Sequence, residues 1–323
     1  MLLASDTLLI VIAALLFDAL IGDPDFVWRR IPHPVVWIGA AIGFLERHLN
    51  RTAWSPQQRK IAGVATVIVL VGGAAIIGFF LEDLLRRRWY GIVAAGFLAS
   101  VLIAQQSLYL HVARVRDAFA DGGLVAARQA VAMIVGRDPE RLDEAGVSRA
   151  AIESTAENFS DGVLAPVFWL ALLGLPGLIA YKAINTADSM IGHRSARYES
   201  FGWAAARLDD VVNLVPARLS GLLIAAVAPI VHGSIATAFS IMMRDAPKHR
   251  SPNAGWPESA MAGALGIALA GPRAYAEGVV NDPFLNAEAR KEATPADIGH
   301  ALDLYVAACL LQAALYAALA LLF

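Results

Sequence analysis

The stretch Ile61–Leu81, IAGVATVIVLVGGAAIIGFFL, decides the fold. It runs for 21 residues without a charged side chain, and a helix of that length crosses the roughly 30 Å of hydrocarbon in a bilayer. Similar apolar runs occupy Thr7 to Ile21, Gly91 to Val112, Val163 to Tyr181, Leu214 to Val231 and Ala301 to Phe323. Composition agrees, since 58% of the 323 residues are hydrophobic and only 17% charged, far more apolar than a soluble domain. The reading is an all-α, polytopic integral membrane protein with about five or six membrane segments joined by polar helical loops.

The first run has no basic residue before it, carries Asp18, and ends in Gly22-Asp23-Pro24 with no small-residue cleavage site, so it is expected to stay in the mature protein. The single cysteine, Cys309, lies in the last apolar run, which leaves neither a disulfide framework nor a thiolate metal site. A net charge of −2, with no basic run longer than Arg86-Arg87-Arg88, excludes a nucleic-acid footprint. No repeat, low-complexity tract or flexible linker divides the chain, so residues 1–323 read as one membrane-embedded domain in the cell inner membrane.

Charge, Pro, Asn and His collect in 23–60, 114–162, 182–213 and 244–300. Segment 114–162 reads as helical, with Val125, Ala126, Gln129, Ala130, Met133 and Ile134 on one amphipathic face and a break at Gly136-Arg137-Asp138-Pro139. Ser148 is expected to cap a following helix that ends before Asp161-Gly162. No strand-period alternation competes. Six Lys/Arg residues in 23–60 place that stretch in the cytoplasm, yet the turn 82–90 carries three more arginines, and simple alternation cannot put both inside. Either His33 to Leu45 enters the membrane and leaves, or two of the runs are hairpins that do not cross, and Gly174-Leu-Pro-Gly177 points to a broken or re-entrant helix in the middle of one run.

Three clusters carry chemistry-bearing side chains. In Glu153-Ser-Thr-Ala-Glu157-Asn158-Phe-Ser-Asp161, the two glutamates share one helix face, which is either a solvated helix end or a hard-oxygen site suited to Mg²⁺ and phosphate. In Lys182-Ala-Ile-Asn185-Thr-Ala-Asp188-Ser189-Met-Ile-Gly192-His193-Arg194, Lys182 can be a snorkelling anchor, but that does not account for Asn185, Asp188 and His193 together. In Arg207-Leu-Asp209-Asp210-Val-Val-Asn213, both acids lie within a turn of Asn213, and a purely structural role requires Arg207 or Arg218 to neutralise them. Two further groups are Asp18 to Pro24 with His33-Pro34, and Lys248-His249-Arg250-Ser251-Pro252-Asn253 through Glu258, a cationic turn fit for a phosphate or for an interfacial loop anchored by Trp256. P-loop, zinc-protease, C-x-x-C and serine-hydrolase motifs are absent.

The ordered blocks at Asp18 to Pro24, His33 to Gly39, Arg137 to Asp143, Glu153 to Gly162, Tyr181 to Gly192, Asp209 to Asn213 and Ser251 to Glu258 together resemble the CobD/CbiB family over nearly the whole chain. The resemblance implies a multi-pass membrane enzyme that joins aminopropanol, as its O-phosphate, to the f-propionate carboxylate of adenosylcobyric acid with ATP and Mg²⁺. Such chemistry assigns Glu153, Glu157, Asp188 and His193 to catalysis, with His193 as general base. It assigns Lys182, Asn185, Arg194, Arg207, Lys248, Arg250 and Asn253 to substrate and phosphate, and Glu157, Asn158, Asp209, Asp210 and Asn213 to the metal. The expected partners are the corrinoid, the aminopropanol phosphate, the bilayer and other late enzymes of the same pathway, with the site facing the cytoplasm. Two rivals stay open: an intramembrane Mg²⁺-dependent prenyl or lipid-diphosphate transferase, and a small-molecule transporter.

Overall fold

The computed structural model describes residues 5–135, 139–193, 195–275 and 278–322. The helices are, in order, α1 Ser5–Ile21, α2 Asp25–Trp28, α3 Pro34–Leu49, α4 Pro56–Arg86, α5 Gly91–Ser100, α6 Gln105–Val131 and α7 Glu144–Asn158. There follow α8 Ala165–Ala187, α9 Trp203–Val212, α10 Leu214–Ala226, α11 Ile235–Asp245 and α12 Gly255–Leu265. A hairpin of β1 Leu269–Tyr275 and β2 Gly278–Leu285 precedes α13 Pro295–Leu322. The architecture is all-α and polytopic. Among the described residues, 4 helical runs are long and apolar enough to cross a bilayer: Pro56–Arg86, Gly91–Val131, Glu144–Gly192 and Pro295–Leu322. The other two expected spans are shorter, 17 described residues in α1 and 13 in α10. On α4 the large side chains Ile61, Ile68, Ile76, Phe79 and Phe80 are exposed, as lipid contact requires.

Three local expectations are corrected. Ser148 is not a cap: it lies buried inside α7, whose N-terminus is capped by Asp143, its carboxylate accepting from the Gly146 N–H at 2.7 Å. That helix does not stop before Asp161, because a π-helical turn over Phe159–Leu164 carries it into α8. The antiparallel hairpin was not expected, since Gly271, Pro272 and Pro283 interrupt any alternation and the register shifts between Ala270 and Pro272. The break expected at Gly174 is present, with φ 69 and ψ −157 inside α8, and a second break at Gly123, φ 63, precedes the amphipathic end of α6.

The described chain divides into two compact units, Met1–Ala104 with Ala165–Asn213 and Leu315–Phe323, and Gln105–Leu164 with Leu214–Ala314. In the first, α4 packs along α8. Glu82 of α4 ends the break in α8 by accepting from the Leu175 N–H, 2.8 Å, while Arg86 donates to the same carboxylate from Nε and Nη2 at 2.9 and 2.6 Å. The backbone there is close enough that a Cβ on Gly78 would lie 2.6 Å from Pro176 Cα. A second tie joins α3, the start of α4 and the segment before α9: Arg197 donates to Glu46 at 2.8 Å, Asn50 donates to Glu46 and to the Arg197 carbonyl, and Arg59 donates to Asn50. In the second unit α12 is almost wholly buried and packs on α10, α11 and α7.

Candidate functional site

Within the first unit, α8 and α9 gather a polar line of side chains. Tyr181, 1% exposed on α8, donates its hydroxyl to Asn213 Oδ1 at 3.0 Å, and the Asn213 amide donates to Asp209 Oδ2 at 3.0 Å. Asp209 Oδ1 is buried with no hydrogen bond of normal geometry. A buried carboxylate oxygen without a well-formed hydrogen bond is costly. Burial, and then the carboxylate of Asp188, push Asp209 up to about 7, against the opposing amides of Asn213 and Asn185.

Asp188 opens a π-helical turn, Asp188–Gly192, against which α9 packs. Its carboxylate lies over Gly192, where a Cβ would come within 1.9 Å of Oδ1, so glycine is required to seat this acid. Close backbone approach recurs at Gly202, whose added Cβ would strike the Ile191 carbonyl at 1.6 Å. Asp210 pairs with Arg207 at 3.3 Å and stands close enough to Asp188 and Asp209 for its charge to bear on both. The neutralising arginine thus meets Asp210 and leaves Asp209 with amides. His193 is exposed, its ring 5.0 Å from that of Tyr198 and edge-on to it. Lys182 and Asn185 are half-buried on α8, and Arg194 lies outside the described residues.

The N-terminal blocks also meet in this unit. His33 accepts from the Val35 N–H through Nδ1 at 3.2 Å, capping α3, and its Nε2 lies 3.5 Å from Asp23 Oδ1.

The remaining expected residues lie in the second unit. Glu153 is buried and accepts from the Ala270 N–H at 2.8 Å, supporting a residue held at φ 58. Glu157 and Asn158 are exposed, and the Asn158 amide donates to the Ser154 carbonyl at 2.9 Å. Lys248 donates to Asp245 at 2.7 Å, and Arg250 pairs with Asp282 at 3.3 Å. Asn253 is buried in a turn where the Ser251 hydroxyl accepts from its N–H at 3.2 Å. Asp245, unremarked in the sequence reading, is wholly buried and takes Arg244, Lys248 and the Asn286 N–H, 2.7 Å. The Arg244 guanidinium foremost holds its carboxyl well below the usual range. Its signal in the sequence was the neighbouring Arg244 and the i, i+3 Lys248.

The expected metal set is therefore divided, with Asp209, Asp210 and Asn213 in one unit and Glu157 and Asn158 in the other. Among the described residues no three His, Cys, Asp or Glu side chains form a metal cage. Mg²⁺ does not need one, because it is held by one or two carboxylates together with water and phosphate oxygens. Asp188 and Asp209, with the orphaned Oδ1, fit that requirement.

No solved structure matches this chain. A cobalamin biosynthesis protein CobD of a Sinorhizobium species is 51% identical over 98% of this chain and 99% of the relative. Proteins of the same name from Rhodobacter capsulatus, 50% identical over 91% of each chain, and from Brucella suis biovar 1, 51% identical over 92% of each, are similar in the same way. The family model described as CobD/Cbib protein matches residues 11–305, and the chain belongs to that family.

Proposed function

We propose that this protein acts in cobalamin biosynthesis as an ATP-dependent ligase, forming the amide between the f-propionate carboxylate of adenosylcobyric acid and aminopropanol or its O-phosphate. The observation that carries the reading is the buried Asp209 with one oxygen unsatisfied, fixed by Asn213 and Tyr181 beside Asp188. A carboxylate is a poor electrophile, so amide formation in water requires activation. One carboxylate oxygen of the corrinoid attacks the γ-phosphorus of ATP, ADP leaves, and the resulting acyl phosphate is attacked by the amine. Inorganic phosphate departs, and the proton that the amine nitrogen carries after its attack passes to a base.

In this scheme Asp188 and Asp209 hold Mg²⁺, which supplies charge neutralisation for the phosphates when bound. Asn213 orients Asp209 by its amide, with Asn185 on the same acid, and Tyr181 fixes Asn213 so that its amide NH₂ points at Asp209. Lys182 and the Arg207 side of α9 set the positive field for the phosphate oxygens. His193, at the exposed end of the π-helical turn, takes the ammonium proton. The membrane is the cell inner membrane and the site opens to the cytoplasm, where ATP is found. Glu153, buried under Ala270, supports the hairpin in this scheme and does not meet substrate.

The test is the purified full chain in detergent with adenosylcobyric acid, Mg-ATP and aminopropanol phosphate, following the corrinoid mass. An ATP-dependent amide product, lost in Asp209→Asn with expression retained, is the expected result. Folded protein that makes no product, even with cell extract added back, would overturn the ligase reading in favour of lipid-diphosphate transfer or transport.

A further inference from the structure

A cleft of about 700 Å³ lies inside the first unit, between α3 on one side and α4, α5 and α8 on the other. Every side chain that lines it is apolar, including Trp37, Ala41 and Phe44 of α3. Along α4 the lining runs from Val69 to Leu81, about 18 Å at 1.5 Å per residue, so the space is long and not round. The cleft is open to the outside, because Trp37, Phe44, Val69 and Ile77 on its wall are each more than half exposed.

Its floor contains Gly73, in the Gly72-Gly73 pair at the middle of a helix where glycine is unfavourable. A Cβ built on Gly73 meets nothing within 4 Å. This glycine is thus not demanded by close packing of protein against protein, as Gly78 and Gly192 are. It leaves room. Water does not fill such a space, since an apolar cavity offers it no hydrogen bonds. Of its walls, α4, α5 and α8 are parts of runs long enough to cross a bilayer, α3 closes the remaining side, and Phe79 and Phe80 continue the exposed apolar surface of α4.

We propose that this cleft binds one acyl chain of a membrane phospholipid. The chain lies along Leu175, Ile179 and Ala183 of α8, the face of the half-helix whose remaining positions include Tyr181, Asn185 and Asp188. Leu175 is also the residue whose N–H is held by Glu82. The lipid therefore braces the helix from one side while Glu82 pins its start, which gives the bilayer a part in holding the polar line on α8.

The experiment uses the full chain purified in a mild detergent and native mass spectrometry, with Gly73→Leu to fill the cleft. Gly72→Leu is the control, because its Cβ also meets nothing within 4 Å and the residue does not line the cleft. Wild type and Gly72→Leu are expected to retain one phospholipid and to gain thermal stability when phosphatidylethanolamine is added back, while Gly73→Leu retains at least tenfold less and gains nothing. Equal retention in all three proteins overturns the proposal. Absence of bound phospholipid together with no thermal response in wild type overturns it as well. Self-association that Gly73→Leu abolishes, without any phospholipid dependence, would assign the cleft to a second copy instead.

Discussion

Replacing Asp209 with Asn separates an acid that binds a cation from one that is merely tolerated. Its carboxyl moves from an ordinary 3.8 to about 7 on folding, and at about 1.4 kcal/mol per pKa unit this corresponds to at most about 4 kcal/mol. The sign follows from proton counts. Between about pH 4 and pH 7 the folded protein holds a proton that the unfolded chain has lost, so stability falls as pH rises through that window and the full cost is present above it. Metal-free wild type should therefore lose thermal stability from pH 4.5 to 8 relative to Asp209→Asn, which keeps the volume and an acceptor for the Asn213 amide but cannot ionise. Adding Mg²⁺ at pH 8 favours the ionised acid and should restore wild type by an amount that grows with the logarithm of concentration, leaving the variant unmoved. The assay is thermal unfolding in detergent with EDTA or with Mg²⁺ at several pH values. Parallel pH curves for the two proteins would refute the burial argument, and an equal Mg²⁺ response would refute Asp209 as a ligand.

Gly192→Ala should displace the Asp188 carboxylate, which a Cβ would approach to 1.9 Å, and so raise the Mg²⁺ requirement for turnover while melting close to wild type. Glu82→Ala leaves the Leu175 N–H without its acceptor and Arg86 with only Thr7 and Asp6, a loss of about 1–3 kcal/mol visible as a lowered Tm. Asp245→Ala strips a wholly buried anion from Arg244, Lys248 and Asn286 and should cost about 3–5 kcal/mol. Because that carboxyl sits below its ordinary range, its contribution is present above about pH 4 and disappears as the pH falls further, so wild type and variant should converge in stability at acid pH. Glu153→Gln keeps an oxygen to accept from Ala270 and should retain activity, whereas Glu153→Ala should unfold the hairpin first in hydrogen exchange; an inactive but folded Gln variant would return Glu153 to catalysis.

What the sequence disclosed depended on how local each interaction is. The long apolar helices were legible because a bilayer demands an uninterrupted run, and the break at Gly174 because Gly and Pro weaken a helix wherever they occur. The Asp209 and Asn213 pair was legible as an i, i+4 spacing, although the choice between Asp209 and Asp210 was not, since it depends on which face α9 turns inward. Glu82 and Leu175 are 93 residues apart, and Arg197 and Glu46 are 151 apart, so nothing local announces either contact. The partners of the cations are no more visible from charge alone: Lys248, Arg250 and Arg207 read as phosphate ligands, and each also has an acid in its own unit.

These positions together explain why polar chemistry can reside in an apolar scaffold. An acid whose carboxyl is raised to about 7 has to be withdrawn from water and held beside Asp188, and both conditions require rigid neighbours. Tyr181 and Asn213 hold Asp209, Gly192 makes room for the Asp188 carboxylate, Gly202 lets the start of α9 press against the π-helical turn, and Glu82 fixes the broken start of the half-helix that leads through Tyr181 and Asn185 to Asp188. Glu82 itself stands on α4, whose outer residues face lipid. A charged side chain near the end of such a helix is expensive unless it is paired and bonded, and here Arg86 and a backbone N–H provide both. The membrane helix is in this sense the anvil of the site: the bilayer holds α4, α4 holds the break in α8, and the break sets where the acids point.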